Sequence, residues 1–306
     1  RLLGPSASLF IFLFLFWAFF AYICLRELRT ENRISNLQTT FIFCFLSYPV
    51  IIALDRANFE VLAFVFIYLY IFYYQKRPVL SAIALGCAIA LKAFPVVLAT
   101  LLLADRKFRQ LMITTFTPII LTVISYATLP GGISTNIVNH IVNLKLYTKY
   151  YAIDNLGLYF GNSLWGALKF IAIWTNTKLV DPNAYTISSI ILLISLCCYI
   201  IFLEKTFWKR TVLAVCCLNL LPMVSGDYKL LHFFIPLFLF INTNEKSKYD
   251  IVYVILFSLL LIPKGYHHLP TLPEANIAVL LNPILMLLIV LSIIFGRQAN
   301  KFPSPV

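Results

Sequence analysis

Asp55, Arg56, Asn58 and Glu60 fall within six residues, flanked on both sides by long apolar runs. Two carboxylates can move protons or accept hydrogen bonds from hydroxyls, and an amide both donates and accepts. A guanidinium fork suits a phosphate. On a continuous helix Arg56 and Glu60 would stand four apart and could equally neutralise each other. Lys92 has no acid in the ten residues before it. It either snorkels to an interface or places a fixed positive charge beside an anion. Further on, Asp227 and Lys229 can form a local ion pair, while Lys229 and His232 share a helical face that can meet phosphate. His267 and His268 are adjacent, about 100° apart on a helix, and cannot chelate one metal together. They read as part of an outer loop, and His140 as surface. No metal site and no cofactor is expected.

Composition says what must position these residues. Of 306 residues 61% are hydrophobic and 12% charged. A soluble domain cannot hide that much apolar surface, so lipid is the solvent for most of the chain. The net charge of +12 then records loop Lys and Arg at a membrane surface, not a nucleic-acid partner. The seven cysteines include no C-x-x-C and read as small core residues. The fold class is an all-α, polytopic transmembrane bundle, one domain over residues 1–306.

Ten apolar runs are visible, and the run Val79–Leu103 contains Lys92 and Pro95. If it breaks there there are eleven membrane segments. The six connectors "RELRTENR", "YQKRP", "ADRKFR", "EKTFWKR", "NEKSK" and "GRQANK" then share one side, with fifteen Lys or Arg. The opposite short turns hold one each: Arg56, Lys92, Lys229 and Lys264. That asymmetry puts the six connectors in the cytoplasm, the N-terminus outside and the C-terminus inside. The charged turns and a long loop, residues 130–185, all open outside, where a polar cavity is expected. Within that loop Ile133, Ile137 and Ile141 form a stripe opposite Asn136, Asn139, His140 and Asn143, which predicts an interfacial helix.

The stretches "DRANFE", "LKAFP", "NLGLYFGNSLWG" and "GDYKLLHFF" follow one another in an order that resembles glycosyltransferase family 87, polytopic enzymes of the C-type superfamily. The family pattern around the first is like D-R-G-N followed by an acid; Asp55, Arg56, Asn58 and Glu60 match and Ala57 replaces the glycine. "LKAFP" resembles a Lys-x-Tyr-Pro turn with Phe94 for Tyr. Asn162 and Ser163 resemble an Asn-x-Ser-Leu region. Gly226, Tyr228 and Lys229 depart from a Trp-acid-His-His pattern, which bears on the sugar.

The resemblance implies transfer of a mannose-like hexose from a polyprenyl-phosphate donor to an extracytoplasmic lipid-linked or glycan acceptor. The cell membrane would hold the enzyme, with its cavity on the extracytoplasmic side and membrane lipid around it. Asp55 and Glu60 are the catalytic candidates. Arg56, Asn58, Lys92, Asn162, Ser163, Asp227, Tyr228, Lys229 and His232 are those for substrate binding. The superfamily's usual catalytic base lies in a first outer loop after a first helix. Both are expected to precede Arg1, which would leave the chain as given inactive. A transporter or flippase of a lipid-linked glycan is the alternative. Transporters tend to show interrupted helices in two related halves, whereas this chain has one strong interruption.

Overall fold

A computed structural model describes residues 4–28, 33–243, 247, 249–264, 268–269 and 272–299. Its helices, in chain order, are α1 (Pro5–Glu27), α2 (Arg33–Phe45), α3 (Tyr48–Arg56), α4 (Glu60–Phe72), α5 (Pro78–Leu91), α6 (Ala99–Ala104) and α7 (Phe108–Thr128). There follow α8 (Gly132–Tyr147), α9 (Leu164–Trp174), α10 (Pro182–Cys198), α11 (Phe207–Leu220), α12 (Phe234–Ile241), α13 (Asp250–Leu261) and α14 (Ala278–Ala299). A short antiparallel hairpin, β1 (His268–Leu269) with β2 (Leu272–Asn276), precedes α14. His267 lies outside the described residues, as does the side chain of His268.

Prolines set several boundaries. A prolyl ring clashes with the carbonyl four residues back and offers no N–H. Pro95 therefore stops α5 at Leu91; Lys92 is extended, and a 3-10 turn, Phe94–Leu98, leads into α6. This is the break expected at that point. Pro49 acts likewise on Phe45, splitting the apolar run Thr39–Leu54 into α2 and α3 with a 45° bend. Pro222 follows the end of α11.

All ten apolar runs fall on helical elements, but among the described residues four helices are long and apolar enough to cross a membrane, five if the bent α2–α3 pair counts as one span. Those four are α1, α7, α10 continued by a π-helical turn to Leu203, and α14. Length and composition thus pick out four or five spans, and the other expected segments fall on shorter apolar helices. The runs around Glu60, Lys92 and Asp227 are short because charge and proline interrupt them. Residues 130–185 contain α8 and also the apolar α9, which buries Trp165 and Phe170. Helix α8 forms where its stripe predicted a helix, but buries no residue.

The core gathers around α11, buried on every side from Thr211 to Leu220. A helix apolar all round belongs in the middle. Phe20 of α1 packs edge-on against Phe234 of α12 at 4.9 Å and meets Phe64 of α4 at 6.0 Å. Lipid tails are as apolar as these rings, so close packing rather than escape from water holds them together. Cys24, Cys44, Cys216 and Cys217 are buried as read, but Cys198 is exposed.

Candidate active site

The stretch "DRANFE" is no continuous helix. Helix α3 ends at Arg56, Ala57 takes the left-handed conformation (φ 45°), and α4 starts at Glu60. A glycine at this position would hold that conformation without strain. Asn58 Oδ1 accepts the Glu60 backbone N–H at 2.6 Å, an Asx-turn that fixes the start of α4. The reversal removes any i,i+4 pairing between Arg56 and Glu60. The Arg56 guanidinium lies 4.7 Å from the Phe160 ring centre. Asp55 is exposed.

Glu60 turns inward and is fully buried. Lys92 Nζ donates to its Oε2 at 2.6 Å, and His232 Nε2 lies 2.6 Å from its Oε1. Lys92 therefore does have an acid, contrary to the sequence reading. Glu60 is 32 positions earlier, brought over because α4 and α5 pack side by side as neighbours. The Lys92 side chain keeps 26% of its exposure, and its ammonium also sits 5.3 Å from the Tyr228 ring centre.

The third component is the 3-10 turn Asp227–Phe233 between α11 and α12. Asp227 and Lys229 do not pair. Asp227 Oδ2 accepts a hydrogen bond from Tyr48 of α3, while its Oδ1 is buried with no partner among the described residues. Burial pushes this carboxyl up to about 6, opposed by the Tyr48 hydrogen bond and the Arg56 charge. The Lys229 ammonium lies 3.9 Å over the Phe94 ring and interacts with Glu60 through space. Burial holds it down at about 8. Tyr228 depends on its neighbour: a Cβ at Gly226 would come within 2.4 Å of its ring.

Asn162 and Ser163 sit beside this turn and hold it in place. Gly161 bridges Gly226, Asn162 N donates to Ser225 O at 2.7 Å, and Asp227 N donates to Phe160 O at 2.9 Å. Asn162 Nδ2 donates to Asn219 Oδ1, and Ser163 Oγ to Met223 O while capping α9 through Gly166 N. Both are buried, so the geometry makes them the clamp on the turn. Sequence reasoning missed Tyr48, Phe94, Phe160 and Lys264. Lys264 caps the carbonyls of Leu259 and Ile262 at 2.6 and 2.7 Å and interacts electrostatically with Asp227. Its signal was present, since it was one of four basic residues outside the six basic connectors.

Those four now stand together. Lys92 and Lys229 face Glu60; Arg56 and Lys264 face Asp227. Four cations border two buried carboxylates; Lys229 is itself buried, Lys92 and Lys264 are half-buried and Arg56 is exposed. Buried charge in a membrane protein is costly and marks a functional site.

The site is an interrupted-helix polar cluster in a mostly helical protein with four or five candidate membrane spans among its described residues. Residues 2–226 match the model of glycosyltransferase family 87. The chain belongs to that family and is a membrane glycosyltransferase. No curated protein and no solved structure matches it.

Proposed function

We propose that the enzyme transfers a mannose-like hexose from a polyprenyl-phosphate donor to a hydroxyl of a lipid-linked or glycan acceptor on the extracytoplasmic side, with eleven membrane segments, short ones included, surrounding the site. The observation that carries this reading is the convergence of Arg56, Lys92, Lys229 and Lys264 on two acids. A surplus of fixed cations suits a substrate that brings its own phosphate.

In the transfer, the acceptor oxygen forms a bond to the anomeric carbon as the bond from that carbon to the phosphate oxygen breaks. The electron pair stays on the phosphate, and the hydroxyl proton must pass to a base. Lys92 and Lys229 are positioned to stabilise the charge growing on the leaving phosphate. Both Glu60 oxygens are engaged, so its role is to hold Lys92 and His232 in place rather than to take the proton. Asp55, exposed beside Arg56, and the buried Asp227 carboxylate are the positions left for acceptor hydroxyls; Asn58 has its amide N–H groups to offer, and Tyr228 its ring face as a sugar platform.

The test is donor choice. The full-length protein in detergent is offered a labelled mannosyl polyprenyl phosphate, its glucosyl counterpart and a nucleotide-linked mannose, with lipid extract as acceptor. Transfer from a polyprenyl-phosphate sugar and none from the nucleotide sugar supports the reading. Transfer from the nucleotide sugar overturns it.

A further inference from the structure

Helix α8 buries none of its residues, yet both of its ends are fixed. Near its start Asn136 Nδ2 donates to the carbonyls of Tyr126 and Gly132 at 3.1 and 2.8 Å, tying the helix to α7. Its far end runs into a π-helical turn, Thr148–Ile153. There the buried Lys169 of α9 donates to Ile153 O and Asp154 O at 2.9 and 2.7 Å, and Trp165 Nε1 to Ala152 O at 2.7 Å. Toward that end lies a groove of about 400 Å³ lined by Ile141, Leu144, Lys145, Thr148, Lys149 and Ile153. Its apolar side chains are exposed, and neither lysine ammonium has an ion pair or hydrogen bond among the described residues. At 100° per residue Tyr147 leaves α8 about 200° from Lys145, on the opposite flank. Its hydroxyl is hydrogen-bonded to that of Tyr228, and the Tyr228 ring centre lies 5.3 Å from the Lys92 ammonium. One exposed helix thus carries two unpaired cations over an apolar floor on one flank and a link to the charged cluster on the other.

We propose that α8 binds an anionic phospholipid, its phosphate at Lys145 and Lys149 and its acyl chains along Ile141, Leu144 and Ile153, and that Tyr147 transmits this occupancy to Tyr228. The ligand class follows from the groove. Two unanswered ammoniums call for an anion, and the exposed apolar floor beside them calls for hydrocarbon. Inorganic phosphate supplies no hydrocarbon, and a neutral phospholipid leaves the cations as they are. The sugar donor is a different ligand: its phosphate belongs at Lys92 and Lys229, beyond Tyr147 and Tyr228. A helix with no buried side chain shifts at low cost, so a lipid that favours one placement of α8 biases it by that difference in affinity. The hydroxyl pair carries the shift to the Asp227–Phe233 turn. The inference rests on the charged cluster being the reacting site, and is independent of which donor reacts there.

The full-length protein is placed in phosphatidylcholine vesicles with or without phosphatidylglycerol, and amide hydrogen exchange is followed in residues 140–153 and 226–233. Phosphatidylglycerol should slow exchange several-fold in both segments. Replacing both lysines, Lys145→Gln with Lys149→Gln, should abolish both responses, because each basic residue near an anionic surface contributes about fivefold to binding. Tyr147→Phe should keep the response of the first segment and lose that of the second. All three positions are exposed, so each variant should unfold at the wild-type temperature. Equal exchange in the two kinds of vesicle, or the same response to inorganic phosphate, overturns the lipid site. So does a turn that still responds in the double lysine variant, which would put the lipid at the charged cluster instead. A turn that still responds in Tyr147→Phe overturns the coupling. Exchange needs no sugar donor, so failure here leaves the donor class standing, and failure of the donor class leaves the exchange pattern unchanged.

Discussion

Replacing Glu60 by glutamine removes the single carboxylate to which both Lys92 and His232 are bonded, with little change of shape. Each contact is a short 2.6 Å bond to a fully buried carboxylate. A hydrogen bond to a charged group contributes about 1.5–3 kcal/mol net. The Lys92 side chain is 26% exposed, so its share belongs near or below the low end of that range. Glutamine still offers one acceptor oxygen, which retains part of one bond. The remainder is a loss of roughly 2–4 kcal/mol, in line with what breaking a buried pair costs when its partner stays behind. Lys229 loses the same counter-charge through space. Thermal unfolding of the detergent-solubilised protein should show Glu60→Gln melting several degrees below wild type. Lys92→Met should cost about half as much, because its ammonium already reaches solvent. The double variant should lose less than the two losses added, since both remove one contact. Strict additivity, or a Glu60→Gln protein that melts with wild type, would refute the assignment of Glu60 as the hub of the cluster.

Tyr48→Phe deletes the hydroxyl that donates to Asp227 and should cost about 1–2 kcal/mol, the penalty of an unpaired buried acceptor, read in the same melting experiment. Ala57→Gly should raise stability by roughly 1 kcal/mol by relieving the left-handed conformation at φ 45°; a drop in melting temperature would contradict the strain argument. The Lys229 ammonium, held near 8 against an ordinary 10.5, loses its proton in the folded protein while an unfolded chain keeps it. Its contribution to stability therefore rises with pH between 8 and 10.5. Phosphate affinity should fall over the same range, and Lys229→Arg should abolish that alkaline fall in a binding titration. Asp227, raised from 3.8 to about 6, acts in the opposite sense: its folded-state preference for the proton makes stability decline as pH rises from 3.8 to 6, a limb that Asp227→Asn should remove.

The helical, lipid-solvated character of the chain was legible from composition, and the break before Pro95 from one lysine and one proline. The pairing of Lys92 with Glu60 was not. The sequence separates them by 32 positions, and only the side-by-side packing of α4 and α5 closes the distance. A turn at "DRANFE" was expected between two apolar runs, but the left-handed Ala57 that makes it was not, because an alanine carries no turn signal. Helix α9 was overlooked because Tyr, Asn and Gly dominate the stretch before it, although Leu164–Trp174 reads apolar when taken alone. Asn162 and Ser163 look like sugar ligands by type, yet the backbone hydrogen bonds around Ser225 engage them as a clamp. Lys229, His232 and Lys264 lie past residue 226, where the family match ends; Lys229 and His232 were candidates by type and helical spacing, while Lys264 joins the cluster through the structure.

The central claim is that Lys92 and Lys229 meet the donor phosphate as it leaves. Removal of an electrostatic donor to a developing negative charge costs about 10²–10³ in kcat. Turnover of the full-length enzyme with its lipid-phosphate sugar, compared between wild type and Lys229→Met, should drop by that factor while the variant unfolds within a few degrees of wild type. Lys229→Met turning over within threefold of wild type would contradict the account.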